Sequence, residues 1–529
     1  MDLHQIKRLY HTLKHLKFTQ VYHQIKYRLV KPKRVATAWD GAFVPVDLVD
    51  CPKKHKSLSI SEGIWSFSFL NLEQSFSQDS IDWSFSDYGM LWTYNLNYFD
   101  WLHQEGMSKE QGLETLSMFY ATPAGKNPII LHSYPTSLRI INTAKFISKW
   151  DIKEDWLYYE LTADLKFLSG RLEYHLLANH LLENAFALYI GGLITNQGEF
   201  IQKGKKLLVR ELKEQVLIDG MHYERSPMYH LIILERLLDA LNFAKATGDD
   251  LDRTLKSYAA RMTGLAMNWE DLDRIPMMQD SAYDIALTVP EVLEYSKCLL
   301  DDDYPSIPND LKDSGYRKLK SESFSLFANV GSIGPSYQPG HAHADEMNFE
   351  LFYQGVPILV DTGISTYENN SRRNIERSTE SHNCVMIENK NSSDVWSSFR
   401  VGKRAKVDLK KDSPFIEAQS TGFNSDLSIN RKWSVTKDCF IIEDEYLPNL
   451  NMATGQLHFH PDISLIEAKK KTLLLKHNNG IKLSLKIFNS KELKLDPFEY
   501  SKGFNQTVKA IRVSYKFPET EKIQLKVIQ

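Results

Sequence analysis

The hydrophobic period changes once along this chain, and that change constrains its fold more than any other feature. From about residue 98 to 300 apolar residues recur at helical spacing, as in KEDWLYYELTADLKFLSGRLEYHLLANHLLENAFALYIGG and SPMYHLIILERLLDALNFAKATG. From about 320 onward they come in short alternating or β-branched runs, among them SFSLFANVG, NFELFYQG, CFIIEDEYL, KTLLLKH and KAIRVSYKF, separated by NG, DTG and Pro turns. Helices followed by strands, with no βαβ alternation, point to an all-α domain and then an antiparallel β domain rather than a doubly wound sheet. The boundary is expected within DDDYPSIPNDLKDSGYRK, around 301–318. This divides the chain into a lead-in of residues 1–90, a helical domain of 91–315 and a β domain of 316–529.

With 529 residues the chain exceeds what one hydrophobic core supports, which agrees with two packed domains. Its 64 Lys and Arg nearly cancel 67 Asp and Glu, so a general nucleic-acid binder is not expected. The four cysteines lie far apart with no CxxC pair, which argues against a disulfide framework or a thiolate zinc knuckle. No apolar run reaches membrane-spanning length, and the opening residues show no pattern of an export signal. Instead Leu3, Ile6, Leu9, Leu13, Leu16, Val21, Ile25 and Leu29 recur at helical spacing, and residues 1–34 carry nine Lys or Arg against the single acid Asp2. This predicts a basic amphipathic helix that packs on the body of the protein or meets an anionic membrane surface or a partner. A cytoplasmic location is the corresponding expectation.

The densest chemical constellation is QPGHAHADEMNFELFYQGVPILVDTG followed by RRNIERSTESHN. His341 and His343 project to one side of an extended segment, and with Asp361 and His382 they offer imidazole and carboxylate donors that suit zinc. His458 and His460 in QLHFHP form another HxH pair, read as structural. In the helical half, Asn179, His180, Glu183 and Asn184 make a polar patch at spacings of three and four. In DGMHYERSPMYH, Ser226 is an N-cap and Pro227 the first helical residue, so Tyr229 falls in the first turn, where the helix N-terminus would modestly favour a phenolate. Tyr223, Glu224 and Arg225 precede it.

The order NHLLEN, DGMHYERSPMYH, HAHADEMNFELFYQGVPILVDTG and SHN resembles the heparinase II/III-like polysaccharide lyases from about residue 90 onward, and WTYNLNYFDWL and SYPTSLRIIN resemble that family's early helices. The resemblance implies an incomplete α/α toroid followed by an antiparallel β-sandwich, with an acidic glycan bound between them. It implies catalytic roles for Asn179, His180, Tyr229 and His341, and metal-binding roles for His343, Asp361 and His382 around one structural zinc.

Such a lyase would act by β-elimination. Asn179 or His180 would neutralise a uronate carboxylate, Tyr229 would serve as base and acid on one face, and His341 would serve as base for a proton presented from the other. Glu183, Tyr223, Arg225, Arg372 and Arg373 are candidate substrate-binding residues, the arginines for their forked pairing with acidic groups. Two alternatives stand beside this reading. One is a non-catalytic glycan-binding protein of the same fold. The other is a cupin-type metal enzyme, whose motif wants a Glu where Met347 and Asn348 stand.

Overall fold

The computed structural model describes residues 3–300, 311–422, 427–447 and 452–528. The basic opening is two helices, α1 (Leu3–Leu13) and α2 (Phe18–Leu29), where the sequence pattern predicted one. They separate at Lys17, whose N–H is accepted by Gln20 Oε1 at 3.0 Å to start the second helix. The lead-in then forms an unexpected three-stranded antiparallel sheet, β1 (Leu58–Ser61), β2 (Ile64–Phe69) and β3 (Leu72–Ser77). Its alternation buries Trp65, Phe67 and Phe69, and Phe69 meets Trp92 edge-on.

Nine helices follow among the described residues: α3 (Met90–Tyr98), α4 (Lys109–Ala121), α5 (Ser133–Trp150), α6 (Asp155–Gly170), α7 (Ala178–Thr195), α8 (Gly198–Gln215), α9 (Pro227–Thr247), α10 (Asp252–Ala266) and α11 (Val289–Leu300). Burial separates inner from outer members. In α7 every residue but His180 is buried, whereas α8 buries one stripe containing Phe200, Gly204, Leu207, Leu208 and Leu212. The α7–α8 pair is close because position 204 is glycine; a Cβ there would stand 2.6 Å from the Tyr189 nitrogen. This half has one continuous core that also takes in Trp65, Phe67 and Trp83 of the lead-in.

Residues 301–310, most of the expected linker, lie outside the described residues. Strands resume with β4 (Tyr316–Lys320), β5 (Phe324–Asn329), β6 (Phe349–Tyr353) and β7 (Val356–Leu359), an antiparallel sheet in that order. After a short helix α12 (Ser371–Glu376) come β8 (Val385–Ile387), the small pair β9 (Val395–Trp396) and β10 (Arg400–Val401), β11 (Lys406–Lys411), β12 (Ile416–Thr421), β13 (Ser428–Val435), β14 (Cys439–Leu447) and β15 (Ala453–His458). The chain closes with β16 (Ile463–Lys469), β17 (Thr472–His477), β18 (Lys482–Ile487), β19 (Glu492–Gly503), β20 (Gln506–Phe517) and β21 (Thr520–Ile528).

Eight of these make one sheet, ordered β11-β12-β13-β14-β21-β18-β17-β16, and four make another, ordered β19-β20-β15-β8. Alternate residues of these strands, such as Trp433, Ile442, Leu473, Leu485, Val513 and Leu525, fill a second core between the layers. The architecture is a helical half followed by antiparallel β layers, as the hydrophobic periods predict, and it agrees with the helical toroid and β-sandwich that the resemblance implies. No helix among the described residues is long and apolar enough to cross a membrane.

Candidate active site

The site forms where the toroid meets the sandwich, and a loop of the toroid supplies its centre. Asp280 lies in the irregular segment between α10 and α11. Its Oδ2 is 2.9 Å from His341 Nδ1, its Oδ1 is 2.8 Å from His343 Nε2, and Arg373 grips both oxygens at 2.5 and 2.7 Å. Burial raises the cost of this charge, but Arg373 and the two histidines outweigh it and hold the Asp280 carboxyl well below the usual carboxylate range. The preceding Gln279 adopts a positive φ of 59° and pins the same loop before β6, accepting the His343 N–H at 2.9 Å and donating to Asp345 at 2.8 Å.

His341 turns Nδ1 to the Asp280 carboxylate, and its Nε2 lies 3.6 Å from Glu224 Oε2. Glu224 is buried and accepts the N–H of Asn179 at 3.2 Å and its Nδ2 at 3.3 Å. Asn179 Oδ1 is buried without a hydrogen-bond partner. It follows a strained entry to α7, where Leu177 and Ala178 both have positive φ. His180 bonds Glu173 through Nδ1 at 3.1 Å and lies against Tyr134, ring centres 4.5 Å apart. Burial opposes the charged form of His180, yet Glu173, Glu224 and Glu183 raise it above its ordinary value.

Tyr229 sits in the first turn of α9, whose cap is Ser226 Oγ accepting the Tyr229 N–H at 3.2 Å, with Pro227 first in the helix. Its ring lies over His341 at 4.0 Å and its hydroxyl meets that of Tyr367 at 3.2 Å. The expected help to a phenolate from the helix N-terminus is overridden. Burial, then Tyr367, Asp280 and Glu224, push Tyr229 well above its ordinary value, so it rests as a phenol.

The candidate substrate-binding residues divide. Glu183 is buried with neither oxygen hydrogen-bonded, 3.7 Å from Arg236 Nε, and burial pushes it up to about 7. Tyr223 bonds the Tyr337 hydroxyl at 3.0 Å. Arg373 belongs to the cluster, but its fork is filled by Asp280. Arg225 donates instead to the Ser332 and Asp313 carbonyls, and Arg372 to Glu376, Ser365 and the Glu499 carbonyl, so the structure does not bring these two guanidinium groups to His341.

The metal candidates are fully buried. His382 Nδ1 is 2.8 Å from Asp361 Oδ2, which also accepts from Asn348 at 2.6 Å. The His343 and His382 rings are 5.3 Å apart, and His343 Nδ1 and His382 Nε2 have no hydrogen-bond partner. Two buried imidazoles, each with one nitrogen held by a carboxylate and the other orphaned, fit the way ligand histidines are held in metal sites. In this arrangement Asp361 touches His382 as the orienting carboxylate. His458 is a core residue, buried against Phe498 and hydrogen-bonded to Asn383. His460, Asp462 and His477 offer one ligand atom each within 4.8 Å of one another. However, both Nδ1 atoms accept backbone N–H groups, which leaves the protons on Nε2.

Sequence reasoning missed Asp280, Tyr134 and Tyr367 and left Glu224 without a role. Nothing local marks Asp280, which is a lone carboxylate in a stretch without periodicity.

Residues 136–297 match the model described as Heparinase II/III N-terminus, and residues 305–527 match Heparinase II/III-like, C-terminal. A heparin-sulfate lyase of Pedobacter heparinus is 23% identical over 334 residues, 58% of this chain; the chain spans about half of that relative, 49% of its length. Among solved structures, a heparinase III aligns with TM-score 0.67 at 14% identity, covering 85% of this chain and 79% of its own. A heparan sulfate lyase of Pedobacter heparinus aligns with TM-score 0.61 at 17% identity, covering 96% of this chain and 88% of its own.

Proposed function

The chain belongs to the heparinase II/III-like family, and from that premise we propose that it is a polysaccharide lyase that cleaves a uronic-acid-containing acidic glycan by β-elimination. The observation that carries this reading is the stacking of Tyr229, held as a phenol, on His341, whose Nδ1 is bound to Asp280.

The chemistry follows from this arrangement. Asn179 and His180 take the uronate carboxylate and stabilise the negative charge that develops on it. His341 Nε2 accepts the C5 proton. The C5–H electron pair becomes the C4–C5 double bond as the C4–O4 bond breaks, and the Tyr229 hydroxyl donates its proton to O4. Asp280 stabilises the imidazolium so formed, and Arg373 positions Asp280 rather than binding glycan. A sugar presenting its proton from the opposite face would require Tyr229 to act first as base, which its burial opposes. The family assignment and the helical toroid replace the cupin alternative.

A structural zinc is part of the same proposal. His343 and His382 would hold it through their free nitrogens, with Asp361 orienting His382. The ion would supply rigidity to the segment carrying His341, and no proton passes through it. The test is a screen of acidic polysaccharides, read by the near-UV absorbance of the new double bond. Absorbance growing with one uronate glycan is expected. No absorbance with any of them, alongside tight glycan binding, would favour the non-catalytic reading.

A further inference from the structure

The two N-terminal helices turn their apolar faces away from the protein. What they hold against the body is mainly polar or aromatic, with Leu9 and Leu16 half-buried beside these contacts. Gln20 Nε2 donates to the carbonyls of Leu176 and Tyr337, Tyr27 donates to the Leu172 carbonyl at 2.6 Å, and Arg8 pairs with Asp394 at 2.7 and 3.0 Å. Lys17 lies 3.7 Å over the Tyr337 ring. The opposite sides carry Ile6, Tyr10 and Leu13 on α1 and Phe18, Tyr22, Ile25 and Leu29 on α2, spaced so that each set forms one stripe. All seven are exposed, Phe18 by 83% and Leu29 by 79%. This inverts the usual arrangement, in which the apolar stripe of a surface helix faces the core. Contiguous exposed apolar surface marks an interaction site.

The charge around the stripes selects the partner. Lys7, Lys14, Lys26, Arg28, Lys31 and Lys33 are exposed beside them, and no acidic residue occurs between Leu3 and Trp39. A second copy meeting this face symmetrically would bring cations against cations. Phenylalanine, tyrosine and aliphatic side chains flanked by lysine and arginine are instead the composition of a helix lying in the boundary between headgroups and acyl chains.

We propose that residues 6–33 form an interfacial anchor that docks this protein on an anionic bilayer, with Phe18, Tyr22, Ile25 and Leu29 inserted below the headgroups and the flanking cations at the lipid phosphates. The proposal does not rest on the lyase reading.

The full chain is floated with phosphatidylcholine vesicles and with vesicles containing about one third phosphatidylglycerol. Binding to the anionic vesicles, weakened by salt, and little binding to the neutral ones is expected. Lys26→Glu/Arg28→Glu should weaken partitioning at least about thirtyfold. Phe18→Ser/Leu29→Ser should weaken it at least about tenfold. Both variants should keep the wild-type melting temperature, because every altered side chain is exposed. No binding to anionic vesicles, equal binding to neutral ones, or variants that bind like wild type would each overturn the proposal. So would a concentration-dependent dimer abolished by Phe18→Ser/Leu29→Ser without vesicle binding, which would assign the face to a second copy. Turnover of a soluble glycan is a separate assay, so failure of the anchor leaves the lyase reading standing.

Discussion

Oδ2 of Asp280 lies 2.9 Å from Nδ1 of His341, across the junction between the toroid and the sandwich. One carboxylate thereby sets the tautomer of the proposed base, holds its neighbour His343, and is itself fixed by Arg373. The proposed catalytic geometry depends on the toroid loop holding the segment that carries His341 and His343.

Asp280→Asn tests that dependence. The amide keeps the shape but removes the charge, frees His341 to adopt the other tautomer and leaves Arg373 buried and unpaired. Turnover should fall by about 10² or more, with KM changed far less, since this residue is fully buried. Asp284→Asn, in the same loop, is the control. A proportionate rise in KM with kcat intact would show that Asp280 serves binding instead.

Metal content gives an independent readout. His343→Ala and His382→Ala should each lower bound zinc and thermal stability together, because an ion held only by the folded chain stabilises it. His458→Ala should leave zinc unchanged and still lower the melting temperature, since His458 is buried in packed surroundings. Full zinc in His343→Ala would remove the assignment.

Acid should destabilise the fold through histidines buried in the neutral state. Burial lowers His230 to about 4 and His458 to about 3, whereas both titrate near 6.5 when unfolded. Below pH 6.5 the unfolded chain therefore binds protons that the folded chain does not, and stability falls as pH drops from 6.5 toward 4. His230→Gln should flatten this limb, as measured by denaturant unfolding across pH. An unchanged slope would show that other groups dominate.

Much of this site was legible because its signals are local. Ser226 and Pro227 announce the start of α9 and so the position of Tyr229. The His341–His343 pair, Asp361 and His382 stand within one β-rich stretch. Asp280 was invisible because its partners are 61, 63 and 93 residues away and its loop has no period. The internal partners of Arg225 and Arg372 were illegible for a related reason: composition identifies a cation but not the internal acceptors that occupy it. The sheet of β1–β3 had a readable signal in the alternation of Trp65, Phe67 and Phe69. Periodicity likewise located the apolar stripes of the opening helices, but which side faces the body is decided by contacts far away in sequence, such as Arg8 with Asp394.

The most direct test of the β-elimination account is Tyr229→Phe assayed for new unsaturated sugar ends. The change deletes one hydroxyl, which bonds that of Tyr367, and keeps the ring against His341, so folding and zinc content should hold. With the proton donor to O4 gone, the rate of absorbance growth should fall by about 10³–10⁴. Tyr223→Phe, which loses only the contact to Tyr337, should stay within a few fold of wild type. A Tyr229→Phe protein generating unsaturated ends at near wild-type rate would contradict the account, and collapse in Tyr223→Phe alone would move the acid six residues upstream.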